Sequence, residues 1–591
     1  MDAETQAPEP IAVIGLSCRT AGADDAEALW QVLRGGRRLI GPVPEERVPS
    51  ADAGPLQAAL LDDVAGFDAA FFGISRRMAS WMDPHQRILL ELTWHALENA
   101  AIAPERLRGS PVAVFAAAPM ADYRERMIQA DVVDSAAFPG TLNTFAANRI
   151  SYQFDWTGPS YAIDSACSSG LSALAPAVHG LRTGEFPLAA VMAANITCNG
   201  FYTNSAYQAG ALSPTGESVP FSTRRDGYNR GEGGACLLLK RLADAERDGD
   251  PVHAVIRGVG VAHNGRAGGL TGSDASAQTR LFLRTARATG VPLSSVGYLE
   301  AHGTGTGGDL AEVTAVADAL RTELGTSPAR VAGPEGKKWI GSVKSNIGHL
   351  EAAAGLLGVV KAVLILRHGL IPPIAGLTRP DPDLLFDDLP VALADRPVAW
   401  PRGAEVRRIG VNSFGVGGAL AHAVIEEAPE PPPPAPTGTG PVPTAVPLSA
   451  MNRAGLAALA TSLLRTLRRP QPPALNSLAW TAQTGRASLR ERRVLVAADL
   501  TELADALAAV AAERAHAHVA EAGGDGALGH LPTPLAHTAG DWLDGLSADW
   551  AKHWPAPQPR CPDLPGYPFQ RRSHWFDANG PEPRTSPDAI H

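Results

Sequence analysis

Four short and almost wholly apolar runs punctuate the first half of the chain, at Ile11 to Ile14, Pro111 to Phe115, Leu188 to Met192 and Ala235 to Leu239. Amphipathic stretches rich in Gly and Ala separate them, and the same texture continues to residue 427. Apolar runs of strand length alternating with helix-period segments predict an α/β architecture. The plainest helix start is Asp83 followed by Pro84, a carboxylate suited to capping free N–H groups and a proline preset for the first turn. Ile88, Leu89, Leu92, Trp94 and Leu97 follow, so a buried helix of several turns is expected there.

The pattern breaks at Glu426 to Pro447, EEAPEPPPPAPTGTGPVPTAVP, where prolines remove backbone donors and favour an extended linker. Beyond it the alternation resumes on a smaller scale. A strand is expected near Val446, helices over Asn452 to Arg468 and Ala474 to Thr484, a strand at Arg493 to Ala498 and a helix from Leu500 to Arg514. An Ala-, Gly- and His-rich stretch then leads to Trp542 to Trp554 and to LPGYPFQRRSHWF, aromatic but too short for its own core. That tail is expected to pack back onto an earlier domain, and no internal repeat is visible.

Composition narrows the function classes. With 591 residues, 45% hydrophobic and 19% charged, the chain can build a large core and is not disordered. No apolar run approaches the roughly 20 residues of a membrane-spanning helix, and Met1 opens on Asp, Glu and Pro, so a cytoplasmic protein is expected. A net charge of −10 disfavours nucleic acid, while a local basic patch could receive an acidic protein partner. Cys18, Cys167, Cys198, Cys236 and Cys561 are odd in number and contain no CxxC pair, which argues against a disulfide framework and a thiolate zinc site.

One cysteine stands apart. DSACSSG at Asp164 to Gly170 lies between the apolar Tyr161 to Ile163 and the Ala-rich Leu171 to Leu181, implying strand, tight turn and buried helix. A thiol at a helix N-terminus meets free N–H groups and the positive end of the dipole, which favour thiolate, so Cys167 is a candidate nucleophile with a lowered pKa. His302, in EAHGTGTGGD, follows the apolar Val296 to Leu299, and His349, in VKSNIGHLEAAAG, directly precedes the helical Leu350 to His368. Ligands in open α/β sheets bind outside the carboxyl ends of strands, so the three segments can converge as nucleophile and acid/base groups. His85, His95 and His422 read as structural histidines.

DSACSSG, HGTGT, KSNIGH and NSFGVGG, in this order, resemble the β-ketoacyl synthase domain of modular type I polyketide synthases. FFGIS, MDPHQRILLELTWHALENAAI, FAANRISYQFDWTGPS and DGYNRGEGGACLLLKRL extend the likeness over residues 10–427. The resemblance implies a thiolase-like α/β fold of two similar halves, about 10–250 and 251–427, and a homodimer. It further suggests a linker at 428–447, a small α/β adaptor at 448–515 similar to the ketosynthase-to-acyltransferase linker, and a wrap-back segment at 541–576. The acyltransferase that would separate the last two is absent from this stretch.

The resemblance also implies roles. Cys167 would take an acyl chain from the phosphopantetheine arm of an acyl carrier protein, the arm serving as substrate carrier with no bound cofactor or metal. His302 and His349 would donate hydrogen bonds to a developing enolate during decarboxylation of a malonyl thioester. Backbone N–H groups of Cys167 and Val416 would form the oxyanion hole, the glycines at 415, 417 and 418 letting that loop approach closely. Lys344, paired with Glu312, would hold the loop and tune His349. The MDPHQR helix and DGYNRGEGG loop would organise the core and dimer surface, with no catalytic part for their charged residues.

Two departures surround these residues. GGDLAE after Thr306 is one residue shorter than the family pattern and lacks its proline, and Ala419 and Leu420 replace the Thr and Asn of the usual Gly-Gly-Thr-Asn-Ala-His, beside Phe414 in the extender pocket. A pocket without those polar groups holds a malonyl carboxylate less well. Three readings therefore stand: decarboxylative Claisen condensation with malonyl-carrier protein in trans, a ketosynthase-like cyclase that releases a carrier-bound chain, and a non-catalytic chain-length partner subunit.

Overall fold

The computed structural model describes residues 8–45, 47, 56–325, 331–384, 391–430, 442–524 and 526–576. Eleven strands form one sheet: β1 (Ile11–Thr20), β2 (Val112–Ala117), β3 (Ser160–Ala162), β4 (Leu188–Asn195), β5 (Gly233–Arg241), β6 (Ala254–His263), β7 (Tyr298–Glu300), β8 (Lys338–Gly341), β9 (Val391–Leu393), β10 (Arg408–Phe414) and β11 (Ala419–Glu427). Their spatial order is β9-β8-β7-β10-β11-β6-β1-β5-β4-β2-β3.

That order contains the two similar halves that the family resemblance implies, although no repeat is visible in the residues themselves. In the first half β1 pairs antiparallel with β5, β5 antiparallel with β4, β4 parallel with β2 and β2 parallel with β3. In the second half β6 pairs antiparallel with β11, β11 antiparallel with β10, β10 parallel with β7 and β7 parallel with β8. The two halves share one topology and join where Ile11, Ala12 and Val13 pair with Ile256, Val255 and Ala254. In each half a buried helix follows the third strand: α2 (Ser169–Thr183) after β3 and α4 (Ala354–His368) after β8, with α3 (Gly308–Leu324) between β7 and β8.

Every residue of β1 is buried, and alternate side chains enter different cores. Ile11 and Val13 pack with α2 and α4, whereas Ala12 and Ile14 pack with α1 (Pro84–Asn99) on the other face. The Asp83 carboxylate caps α1 through the His85 N–H, as the Asp-Pro pair predicts. α2 and α4 approach at glycines: a Cβ on Gly170 would lie 2.8 Å from the Ala352 carbonyl oxygen, and one on Gly355 would lie 2.8 Å from Leu171 Cβ. The two helix starts are thereby pressed together.

The residues expected to form an adaptor fold as a three-stranded antiparallel sheet, β12 (Thr444–Ala450), β13 (Glu491–Ala497) and β14 (Val519–Ala520), with helices α5 (Arg453–Leu467), α6 (Leu475–Thr484) and α7 (Leu500–Ala511). Much of the expected linker, residues 431–441, lies outside the described residues, and its last four, Thr444 to Pro447, belong to β12 instead. Here apolar burial of Ala445 and Val446 and pairing with β13 outweigh the preceding prolines.

The tail folds back on α1. Tyr567 N–H donates to Glu98 Oε2 at 2.7 Å, Asn99 Nδ2 donates to the Pro562 carbonyl at 2.8 Å, and Arg571 pairs with Glu91 at 2.8 Å. His95 Nε2 lies 2.9 Å from the Tyr567 carbonyl oxygen, and His85 Nε2 accepts from Ile196 N–H at 2.9 Å. The charged residues of MDPHQRILLELTWHALEN are thus buried because the returning chain and the neighbouring loops use them.

We expect Gly170→Ala to destabilise the protein by about 1–3 kcal/mol, because the added methyl meets backbone. Denaturant unfolding of the variant checks this, and an unchanged midpoint would contradict the tight crossing of α2 and α4.

Candidate active site

The nucleophile turn is held by its own small side chains. Asp164 Oδ1 accepts from Ala166 N–H at 2.9 Å, and Ser169 Oγ accepts from Ser165 N–H at 2.8 Å. Ala166 has φ of +55°, a conformation costing about 1–3 kcal/mol in a non-glycine residue, and Cys167 follows it in a 3₁₀ turn that runs into α2. The helix begins two residues later than the expected thiol position, at Ser169.

The loop after β10 closes over this turn. Ser413 Oγ donates to the Cys167 carbonyl at 2.7 Å, and a Cβ on Gly415 would lie 2.2 Å from the Ser165 carbonyl oxygen. Gly417 and Gly418 have φ of +100° and +93°, which a side chain would strain. Val416, 52% exposed, turns its N–H to the Cys167 sulfur, and the N–H of Cys167 points there too. His263, which the sequence did not single out, pins the loop: its Nδ1 accepts from Gly265 N–H, so Nε2 donates to the Gly417 carbonyl at 2.8 Å.

The two histidines come together with their rings 5.3 Å apart and nearly perpendicular. Phe414 N–H donates to His302 Nδ1 at 3.2 Å, and Glu351 N–H donates to His349 Nδ1 at 3.1 Å. A backbone N–H can only donate, so each Nδ1 is an acceptor and each neutral ring carries its proton on Nε2. Burial, reinforced by the Lys344 ammonium, holds both imidazoles well below the ordinary histidine range. The site therefore presents two neutral Nε2–H donors.

Glu312 supports this arrangement through backbone. Its carboxylate accepts from His302 N–H at 2.7 Å, Gly303 N–H at 2.9 Å and Asn412 Nδ2 at 2.7 Å, and burial pushes its pKa up to about 7. Asn412 Oδ1 in turn receives His422 Nδ1–H at 2.6 Å, which gives His422 its structural place. Among the described residues Lys344 makes no ion pair within 4 Å, so the expected pairing with Glu312 is not formed. Its buried ammonium instead sits within electrostatic range of Cys167, Glu312, Glu300 and both histidines, and burial lowers its pKa. The shortened loop after Thr306 is closed by Asp309, whose carboxylate accepts from Thr304 N–H at 2.9 Å and Phe221 N–H at 2.8 Å.

Of the expected pocket residues, the Phe414 ring meets His302 at 5.5 Å. Leu420 shares one face of β11 with His422 and is buried in the core, and Ala419 pairs with His263 on β6. The DGYNRGEGG loop belongs to the site. The Tyr228 ring lies edge-on to His349 at 5.1 Å, and Arg230 makes a two-pronged ion pair with Glu351, each contact 2.9 Å. Arg230 bridges in strand fashion to His349, a pairing across 119 positions that local pattern does not signal.

The expected lowering of the Cys167 pKa does not occur. Burial, aided by the Glu351 carboxylate, pushes the thiol up to about 12, outweighing the two N–H groups and Lys344. A raised pKa means that thiolate appears only as pH climbs. Alkylation of Cys167 by iodoacetamide should therefore rise about tenfold per unit from pH 7 to 10. A plateau near pH 7 in the rate profile would contradict this.

Comparison with known proteins agrees with the geometry. Residues 8–245 match the model of the beta-ketoacyl synthase N-terminal domain, residues 253–378 that of the C-terminal domain and residues 380–495 that of the ketoacyl-synthetase C-terminal extension. The chain is 40% identical to the 5-methyl-1-naphthoate synthase of Streptomyces sahachiroi over 519 residues, and 39% identical to erythronolide synthase EryA3 of Saccharopolyspora erythraea over 518. Those matches cover 85% and 87% of this chain but only 29% and 16% of the relatives. Among solved structures, the ketosynthase from module 6 of the bacillaene synthase of Bacillus subtilis superposes with a TM-score of 0.86 at 29% identity, over 96% of this chain and 100% of that one. The oxazolomycin ketosynthase domain OzmH KS7 of Streptomyces albus superposes at 0.85 with 33% identity, over 96% of this chain and 99% of that one. With its two matching halves, its thiolase-like sheet and a cysteine and two histidines brought to one place, the chain belongs to the β-ketoacyl synthase family, enzymes of the acyltransferase class.

Proposed function

We propose that the protein is a polyketide-type ketosynthase that accepts an acyl chain from an acyl carrier protein onto Cys167. It then forms a carbon–carbon bond with a malonyl unit delivered by a carrier protein in trans. The observation that carries this reading is the pair of Nε2–H donors, set by two backbone N–H groups, beside a sulfur faced by two further amides.

The first step exchanges one thioester for another. The Cys167 sulfur attacks the carbonyl, the oxyanion forms under the N–H groups of Cys167 and Val416, and the pantetheine sulfur leaves with the proton that the thiol gives up. In the second step the malonyl carboxylate departs as carbon dioxide, and its bonding pair becomes an enolate. His302 and His349 donate to the enolate oxygen, a charge that exists only near the transition state. The enolate carbon attacks the Cys167 thioester, and the cysteine sulfur leaves as thiolate and takes a proton from solvent to restore the thiol. Neutral donors suit this step because they need no proton uptake before it.

The second reading, intramolecular cyclisation and release of a carrier-bound chain, loses the support of Leu420, which turns into the core, and rests on Ala419 alone, the residue that follows the Gly417–Gly418 turn. A non-catalytic partner role fits poorly with a complete set of Cys167, His302 and His349. Homodimer formation is supported by the edge strand β3, where Tyr161 is 58% exposed, and by Phe138, 64% exposed. A cytoplasmic setting is supported by five free cysteines, and among the described residues no helix is long and apolar enough to cross a membrane.

Incubation with an acyl-carrier thioester should add the acyl mass to the intact protein, and Cys167→Ala should abolish that addition. Supplying malonyl-carrier protein should then release carbon dioxide and give a product two carbons longer, with His302→Ala or His349→Ala slowing this step by about 10²-fold or more. A cyclic product formed without malonate would replace condensation with cyclisation.

A further inference from the structure

A buried ion pair stands at the root of the segment that bears His302. Glu300, the last residue of β7, receives the Lys361 ammonium of α4 on Oε2 at 2.7 Å, and the same oxygen accepts from the Tyr298 hydroxyl at 2.8 Å. Its Oε1 accepts from the Val343 N–H at 2.5 Å. Both charged side chains are buried and closely packed. A Cβ on Gly358 of α4 would lie 3.3 Å from Glu300 Cγ, and one on Gly341 would lie 2.4 Å from the Tyr298 hydroxyl oxygen.

Each end of the hydrogen bond between Glu300 and Val343 leads into the site. Glu300 is followed by Ala301 and His302, and Val343 opens the short turn Lys344–Ile347, from which the chain passes through Gly348 to His349. A second tie runs alongside, where Ser342 Oγ donates to the Gly303 carbonyl at 2.8 Å. Lys361 brings in α4, the helix that follows the His349 turn. One carboxylate thus joins the two histidine segments to each other and to that helix.

Stability alone is a weak reason for such a pair, because burying two charges costs desolvation that their attraction barely returns, and apolar side chains of like volume often serve a fold as well. Positioning is a stronger one, since a group displaced by about an ångström from its productive place loses much of its effect on a reaction. Resting on the reading of His302 and His349 as donors to the enolate, we propose that Glu300 is a positioning residue for condensation. Lys361 and Tyr298 fix one of its oxygens so that the other holds Val343 and sets the Lys344–His349 segment against His302.

The test keeps Lys361→Met constant and varies residue 300, so that no charge is left buried alone. With Glu300→Leu the Val343 N–H has no acceptor, whereas with Glu300→Gln the amide carbonyl supplies one. Intact mass follows acyl loading, and carbon dioxide release from malonyl-carrier protein gives kcat and KM, at a temperature where circular dichroism shows each protein folded. The Leu variant should load acyl chains within about twofold of wild type, yet its kcat for carbon dioxide release should fall about tenfold or more at unchanged KM, and the Gln variant should recover most of that loss. Equal kcat in the Leu variant and wild type overturns the proposal, as does a Gln variant as slow as the Leu one, or loading that falls in step with release. Should the Leu variant not fold, the Gln variant decides: kcat within about threefold of wild type supports the proposal and a fall of about tenfold overturns it. Wild-type protein that loads acyl chains but releases no carbon dioxide overturns the donor role of the histidines, and the proposal with it.

Discussion

The close crossing of two buried helix starts governs the rest of the structure. Gly170 near the beginning of α2 meets the Ala352 carbonyl, and Gly355 at the beginning of α4 meets Leu171. Each helix descends from a different half of a duplicated sheet, so the crossing carries the turn bearing Cys167 and the turn bearing His349 to one point. Any side chain larger than hydrogen at either glycine would have to separate them. The glycine-rich loop after β10 then adds a third wall, resting on the Ser165 carbonyl at Gly415.

Burial produced by that convergence decides the protonation states. It keeps both imidazoles neutral and the thiol protonated, against the pull of a helix N-terminus and two amides. Reactivity in such a site depends on groups aimed at charges that appear only during the reaction. The Nε2–H of His302 and His349 owe their direction to main-chain donors at Phe414 and Glu351, so the fold itself selects the tautomers. Glu312 works at one remove, by holding the backbone at His302 and Gly303.

Much of this was legible in the residues. Apolar runs foretold β1, β2, β4 and β5, and Asp83-Pro84 foretold α1, because such signals are local. The motifs around Cys167, His302, His349 and Val416 pointed to segments that the fold gathers together. What local pattern could not show was which distant partners would meet. Arg230 reaching Glu351, His263 pinning Gly417 and the charged side of α1 receiving the tail all depend on residues more than 100 positions apart. The acidity of Cys167 departs from the sequence expectation for the same reason: the helix end is visible in the chain, but the burial that opposes it is a tertiary effect.

The central claim is geometric, that the amides of Cys167 and Val416 wait for the oxygen of a thioester formed on the Cys167 sulfur. A crystal structure of the protein acylated at Cys167 tests it most directly. The account predicts the thioester oxygen within about 3 Å of both backbone nitrogens. A thioester oxygen turned away from both amides would contradict it.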